Sequence, residues 1–139
     1  MTQLTQFGLN AAIVWQRDIP RERCFGLTRC YQARVFDASL PGVLALFGLL
    51  PKPEFLTPIT PLQAAAEIAA LMHKDLAYQV EIMPPARAEA LAAAFVAELA
   101  ELRPQFYRCD GTFTESTFEG GVLARGEDFA ACVWVQDED

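Results

Sequence analysis

Several strand-forming segments follow one another near the C-terminal end of the chain, and this order most constrains the fold. They are separated by turn signals and not by helices, an order that argues against a doubly wound parallel sheet and favours an antiparallel one. Asp110-Gly111 is typical of a tight hairpin turn, in which both turn residues need φ > 0. Gly126-Glu127-Asp128 predicts a second hairpin. The predicted strands are residues 105–109, 112–115, 121–125 and 129–135.

Helices are expected before these strands. Thr60-Pro-Leu-Gln63 combines a capping threonine, a proline at the first helical position and a glutamine that completes a capping box. Apolar residues at helical spacing then continue to His73. A second helix, 86–102, is rich in alanine and ends before Pro104. Ser39 is expected to cap a shorter helix at 40–49.

Three further strands are predicted from alternation and from β-branched or aromatic content: 10–16, 23–36 with a break near 26–29, and 76–83. The resulting order mixes adjacent strands with isolated helices. The sequence therefore predicts an α+β fold, a mostly antiparallel sheet of about five to seven strands with two main helices packed on one face.

Length and charge narrow the class of protein. With 139 residues we expect one domain over 1–139, ending in a frayed acidic tail at 136–139. A net charge of −7 argues against a nucleic-acid or anionic-membrane binder. The start lacks the features of a secretory signal, and the longest uncharged apolar run, 40–50, is shorter than the ~20 residues of a membrane span. We expect a soluble cytoplasmic protein with reduced cysteines.

A search for chemistry finds no catalytic set. Cys24, Cys30, Cys109 and Cys132 lack the paired spacing of a zinc site, so no metal is predicted. His73 is the only histidine and stands at a helix end. Neither a nucleotide-binding loop nor a nucleophile elbow occurs, so no cofactor and no catalytic residue are predicted.

Two features stand out from this background. Residues 1–37 carry five arginines against three acidic residues, a net of +2, whereas the rest of the chain carries −9. The segment 40–59 is apolar and interrupted by prolines, with only Lys52 and Glu54 charged. It belongs either to the core or to an exposed apolar patch that marks an interface.

These features favour a non-enzymatic protein-binding module, such as an immunity protein, an adaptor or chaperone-like protein, or an accessory subunit. Its partner would be a more basic protein steered by the acidic surface, and a homodimer is left open. The contact residues would be Leu44, Phe47, Leu49, Phe55 and Leu56.

The alternative is a small-molecule-binding protein or an enzyme with a pocket between helix and sheet. The polar groups of that pocket would be Arg29, Arg34, His73, Tyr78 and Glu81. RNA binding through the arginine-rich segment is a third hypothesis, and the overall negative charge counts against it.

Overall fold

A computed structural model describes residues 12–138 of the protein. Their centre is a five-stranded sheet in the order β1-β5-β4-β3-β2. Every neighbouring pair is antiparallel, which confirms the predicted α+β class. The strands are β1 (Leu27–Arg34), β2 (Leu56–Ile59), β3 (Gln105–Cys109), β4 (Phe118–Arg125) and β5 (Phe129–Asp137).

The described residues contain four α-helices: α1 (Trp15–Glu22), α2 (Leu40–Leu46), α3 (Pro61–His73) and α4 (Pro85–Ala100). The capping box of α3 is confirmed. The Gln63 N–H donates to Thr60 Oγ1 at 3.1 Å, and the Thr60 N–H donates to Gln63 Oε1 at 2.9 Å. Ser39 caps α2 by accepting the Gly42 N–H.

Both faces of the sheet are covered. On one face α1, α3 and α4 pack against the strands, which places the two main helices on one side of the sheet, as predicted. We call the interior on this face the major core. Its members include Ile68, Leu91, Phe95 and Val133. On the other face α2 and the residues that follow it bury the minor core, whose members include Leu44, Phe47, Phe113, Cys132 and Trp134. Because side chains alternate along a strand, β5 supplies residues to both cores.

The predicted strand at 10–16 is wrong where it can be compared. Asn10 and Ala11 lie outside the described residues, and helix α1 begins at Trp15. Trp15 and Ile19 are both buried in the major core, and four residues apart is a helical spacing. The predicted strand at 23–36 is shortened to β1, which begins after Gly26, whose φ is +59°.

Residues 76–83 do not form the predicted strand. The carboxylate of Asp75 accepts the N–H groups of Tyr78 and Val80, each at 2.6 Å, and Gln79 has φ +59°. These bonds fold the segment into a turn, which leaves only an isolated bridge between Lys74 and Glu81. The alternating pattern does not lead to a strand here, because the Asp75 side chain takes the backbone N–H groups that a strand would bond to its neighbour.

The hairpin at 126–128 is confirmed, with the Gly126 N–H donating to the Phe129 carbonyl at 2.9 Å. The tight hairpin at Asp110-Gly111 is wrong: residues 112–115 form no strand, and 110–117 connect β3 to β4 as a longer loop. The Asp110 N–H instead bonds the Phe55 carbonyl, which extends the β2–β3 pairing.

The frayed tail predicted at 136–139 is wrong as far as Asp137. This residue ends β5 and is fully buried.

Candidate functional site

The residues predicted to bind a partner lie mainly inside the protein. Leu44, Phe47, Leu49 and Leu56 are buried in the minor core, because α2 and the proline-rich segment fold back over the sheet. Phe55 is 39% exposed and is the member of the set with substantial free surface. An apolar contact made by all five side chains together therefore requires this layer to open.

The residues predicted to line a pocket do not converge. Arg29 and Arg34 are an odd number of positions apart on β1, so their side chains leave opposite faces of the sheet. His73 Nε2 lies 3.0 Å from Glu81 Oε1 at the end of α3, and the Tyr78 side chain is largely exposed beyond it. The alternative site thus divides into separate parts.

What the fold does bring to the surface is one free edge of the sheet. Among residues 12–138, β1 pairs only with β5. The Val35 N–H donates to the Asp128 carbonyl, directly beyond the β1–β5 register, so hydrogen-bonded pairs recur at every second residue from there. By that alternation, Tyr31 and Ala33 bond to β5. The N–H and C=O groups that point away from the sheet are those of Thr28, Cys30, Gln32 and Arg34.

This edge has room beside it. A groove of about 260 Å³ runs along β1, and its lining combines a residue of α1, the strand and the end of α2. Tyr31 is 43% exposed and Leu46 is 55% exposed, and the Tyr31 ring lies 5.7 Å from the Phe47 ring. We call this the edge groove; its lining is Gln16, Tyr31, Gln32, Ala33, Leu46 and Phe47.

A buried ion pair fixes the start of β1. The Arg23 guanidinium forms two bonds to the Asp137 carboxylate, at 2.7 and 2.9 Å, and both side chains are fully buried. Arg23 also donates to the carbonyls of Leu71 and Phe25, and Asp137 accepts the Leu76 N–H. The pair therefore joins the segment before β1 to the end of β5 and to α3.

Gly26 lies against this pair and has to be glycine. A Cβ there would stand 2.3 Å from Asp137 Oδ1 and 2.4 Å from the Gln136 carbonyl oxygen. Together with its positive φ, this contact sets the residue at which the edge strand begins.

A second depression borders β1 on the minor-core face. We call it the Arg29 cleft; it measures about 440 Å³ and is lined by Arg29, Gly48, Leu50, Phe113, Thr114, Glu115 and Gln136. Within the described part of the chain, Arg29 makes one hydrogen bond, to the Phe47 carbonyl at 3.3 Å, and buried Gln136 Oε1 has no partner. The cleft therefore offers free donors from a cation, whereas the unpartnered Gln136 Oε1 is itself buried.

The thiols give little chemistry. All four cysteines are free, and Cys24 is exposed. Burial raises the pKa of Cys109 and of Cys132 to about 12, and it raises that of Cys30 as well, so these three stay protonated at neutral pH. Over residues 12–138, no group of His, Cys, Asp and Glu side chains is placed to hold a metal ion.

Comparison with protein-family models, with curated proteins and with solved structures found no match for this chain. In the part of the chain that the structure describes, no helix has the length and apolar character needed to cross a membrane. The free edge of β1 was not identified from the sequence, because the place of a strand within a sheet depends on pairings between distant residues.

Proposed function

We propose that this chain is a protein-binding module that takes up a strand of its partner along the free edge of β1. The observation that carries the proposal is the row of outward-pointing backbone groups on a strand of eight residues that contains neither proline nor lysine. Strand addition uses such groups for affinity and neighbouring pockets for specificity. The edge groove, with Tyr31 and Leu46 half exposed beside it, supports this reading.

The charged groups beside the edge are four arginines and the two aspartates that pair with three of them: Asp18 pairs with Arg17 and Arg21, and Asp128 pairs with Arg34. Arg29 and Arg34 lie on β1 itself, and the side chains of Arg17 and Arg21 on α1 are mostly exposed. A more basic partner, which the net charge of −7 favours in general, is therefore not favoured at this edge. The partner strand expected here is neutral or acidic. A second copy of the chain fits as well, provided that its own arginines do not stand opposite these.

A cytoplasmic location belongs to the same proposal. It is supported by the free state of all four cysteines, because exported proteins usually form disulfides.

A matched pair of variants at Gln32 tests the proposal. Its N–H points outward, so Gln32→Pro removes an edge donor without removing a bond to β5, and Gln32→Ala keeps the donor. Each tagged protein is used to capture partners from lysate of its source organism, after circular dichroism has shown that it folds. We expect a stoichiometric partner on wild type and Gln32→Ala that is lost on Gln32→Pro. Equal capture by all three proteins would place the contact elsewhere.

The Arg29 cleft supports a second candidate, binding of a small carboxylate. A guanidinium pairs well with carboxylates, and Arg29 uses one of its donors within the described residues. In a thermal-shift screen of such compounds, a specific ligand at 100 times its Kd adds about 2.7 kcal/mol of stability. The shift should disappear in Arg29→Gln; a shift of equal size in that variant would exclude the cleft.

A further inference from the structure

The free edge of β1 is complementary to itself. A twofold axis perpendicular to the sheet sets two copies of β1 antiparallel with equivalent faces on the same side, so outward-pointing residues of one copy meet outward-pointing residues of the other. One alignment uses all of them: Thr28 faces Arg34, and Cys30 faces Gln32, in both directions. Any shift along the strand leaves some outward groups unpaired.

The side chains also fit this alignment. Tyr31 faces its own counterpart at the twofold axis as a non-hydrogen-bonded pair, the kind in which side chains come closest. Each Tyr31 ring is already positioned against Phe47, so the pair would cover the exposed apolar surface of the edge groove.

The charges of β1 tolerate the same alignment. Arg29 faces Ala33, and Arg34 faces Thr28, so no arginine stands opposite another. Arg34 is also held by Asp128 at 2.7 Å, which offsets its charge at the end of the strand. Like charges placed directly opposite each other destabilise a strand pair, and this alignment avoids them.

We propose that a second copy of this chain binds at the free edge of β1, antiparallel and with Tyr31 on the twofold axis, which joins the two sheets into one continuous sheet. The inference rests on the proposed function and names the partner that takes up the edge. Both copies contribute the same groups, so the contact closes as a dimer and leaves no further edge of this kind.

Sedimentation analysis of the purified chain tests the partner. Wild type and Gln32→Ala should be dimers that dissociate on dilution, and Gln32→Pro should raise the dimer dissociation constant about tenfold or more, because each copy loses a donor. A dimer unaffected by Gln32→Pro would overturn the proposal. A monomer at every concentration would overturn it too, yet it would leave the proposed function standing, because capture from lysate tests that independently.

Disulfide cross-linking tests the alignment. In a Cys24→Ser background, which removes the exposed native thiol, Tyr31→Cys brings two thiols together at the axis, with Cα atoms about 4.5 Å apart, within the range that a disulfide spans. Arg29→Cys is the matched control, since its two copies would lie about 14 Å apart. Rapid oxidation to a covalent dimer in Tyr31→Cys alone supports the alignment. Equal cross-linking in both variants, or none in either, overturns it.

Discussion

The two edges of the sheet differ in the hydrogen-bond donors that they present. On β2 the residues that point away from β3 are Leu56 and Pro58, as the bond from the Asp110 N–H to the Phe55 carbonyl implies. Pro58 has no N–H, and the Leu56 N–H donates to the Pro53 carbonyl. Among the residues that the structure describes, the β2 edge therefore has no free donor, whereas the β1 edge has one at every outward residue.

Within residues 12–138, one edge of the sheet is therefore closed and the other is open. Exposed edges invite pairing with other chains, and prolines and short strands are common means of blocking it. β2 has both features, with four residues and Pro58, while β1 has eight residues and no proline. The contrast between the two edges is the basis of the proposal that β1 is a contact surface.

Removing the anchor of β1 should have the largest effect. Asp137→Ala leaves the Arg23 guanidinium buried without its counter-ion, and we expect a loss of about 3–5 kcal/mol in the free energy of unfolding, measured by urea denaturation. The double variant Arg23→Met with Asp137→Leu removes both charges and should recover part of the loss, because the carbonyls of Leu71 and Phe25 and the Leu76 N–H still lose their partners. If Asp137→Ala alone changes stability by less than ~1 kcal/mol, the pair does not anchor the strand.

Proline substitutions at two adjacent positions of β1 should show which residues bond to β5 and which point outward, because the two variants should lose different amounts of stability. Ala33→Pro removes a bond to β5 and leaves the Ala130 carbonyl without its donor, a loss of about 1–3 kcal/mol. Gln32→Pro removes an outward donor and should change stability by less than ~1 kcal/mol. Thermal and urea unfolding of both variants measure the difference. Equal losses would mean that the alternation along β1 is absent, and a larger loss in Gln32→Pro would mean that it is reversed.

A smaller effect is expected from pH at α1, which packs beside β1. Hydrogen bonds from the Arg17 side chain and the Val14 N–H lower the pKa of Asp18 to about 2, from an ordinary 3.8. A depressed pKa stabilises the folded state above pH 3.8, and this contribution is lost as the pH falls toward 2. The stability difference between wild type and Asp18→Asn should thus be larger at pH 6 than at pH 2. A stability difference that is the same at pH 6 and at pH 2 would mean that Asp18 does not contribute this pH dependence.

The smallest effect should come from opening the other edge. Pro58→Thr restores one outward N–H on β2 and should leave the fold intact. We expect weak additional association at high concentration, detected by light scattering, in contrast to the clear loss caused by Gln32→Pro. If Pro58→Thr associates as strongly as wild type does through β1, the proline is not what distinguishes the edges.

Short sequence motifs correctly predicted those elements that are held by hydrogen bonds between residues close in sequence. The capping box of α3 and the hairpin at 126–128 depend on residues within a few positions of one another, and both are present. The strand predicted at 76–83 failed for a related reason, because the Asp75 carboxylate bonds two backbone N–H groups within its own turn. A prediction made from hydrophobic alternation alone takes no account of such a competing hydrogen bond.

The candidate site depended on contacts that are distant in sequence. Arg23 and Asp137 are 114 residues apart. Their pairing determines where β1 begins, and it shows that the predicted free tail does not include Asp137. The burial of Phe47 likewise depends on the folding of α2 and the following segment over β5. The free edge is set by the order of all five strands, which no segment of sequence specifies alone.

Amide hydrogen exchange along β1, followed by NMR on a dilute sample, tests the central claim most directly. The account predicts alternation: the amides of Tyr31 and Ala33 are protected by β5, while those of Thr28, Cys30, Gln32 and Arg34 exchange rapidly and become protected as the concentration is raised. Protection of all these amides at every dilution would mean that the edge is already covered within one chain, and it would contradict the account.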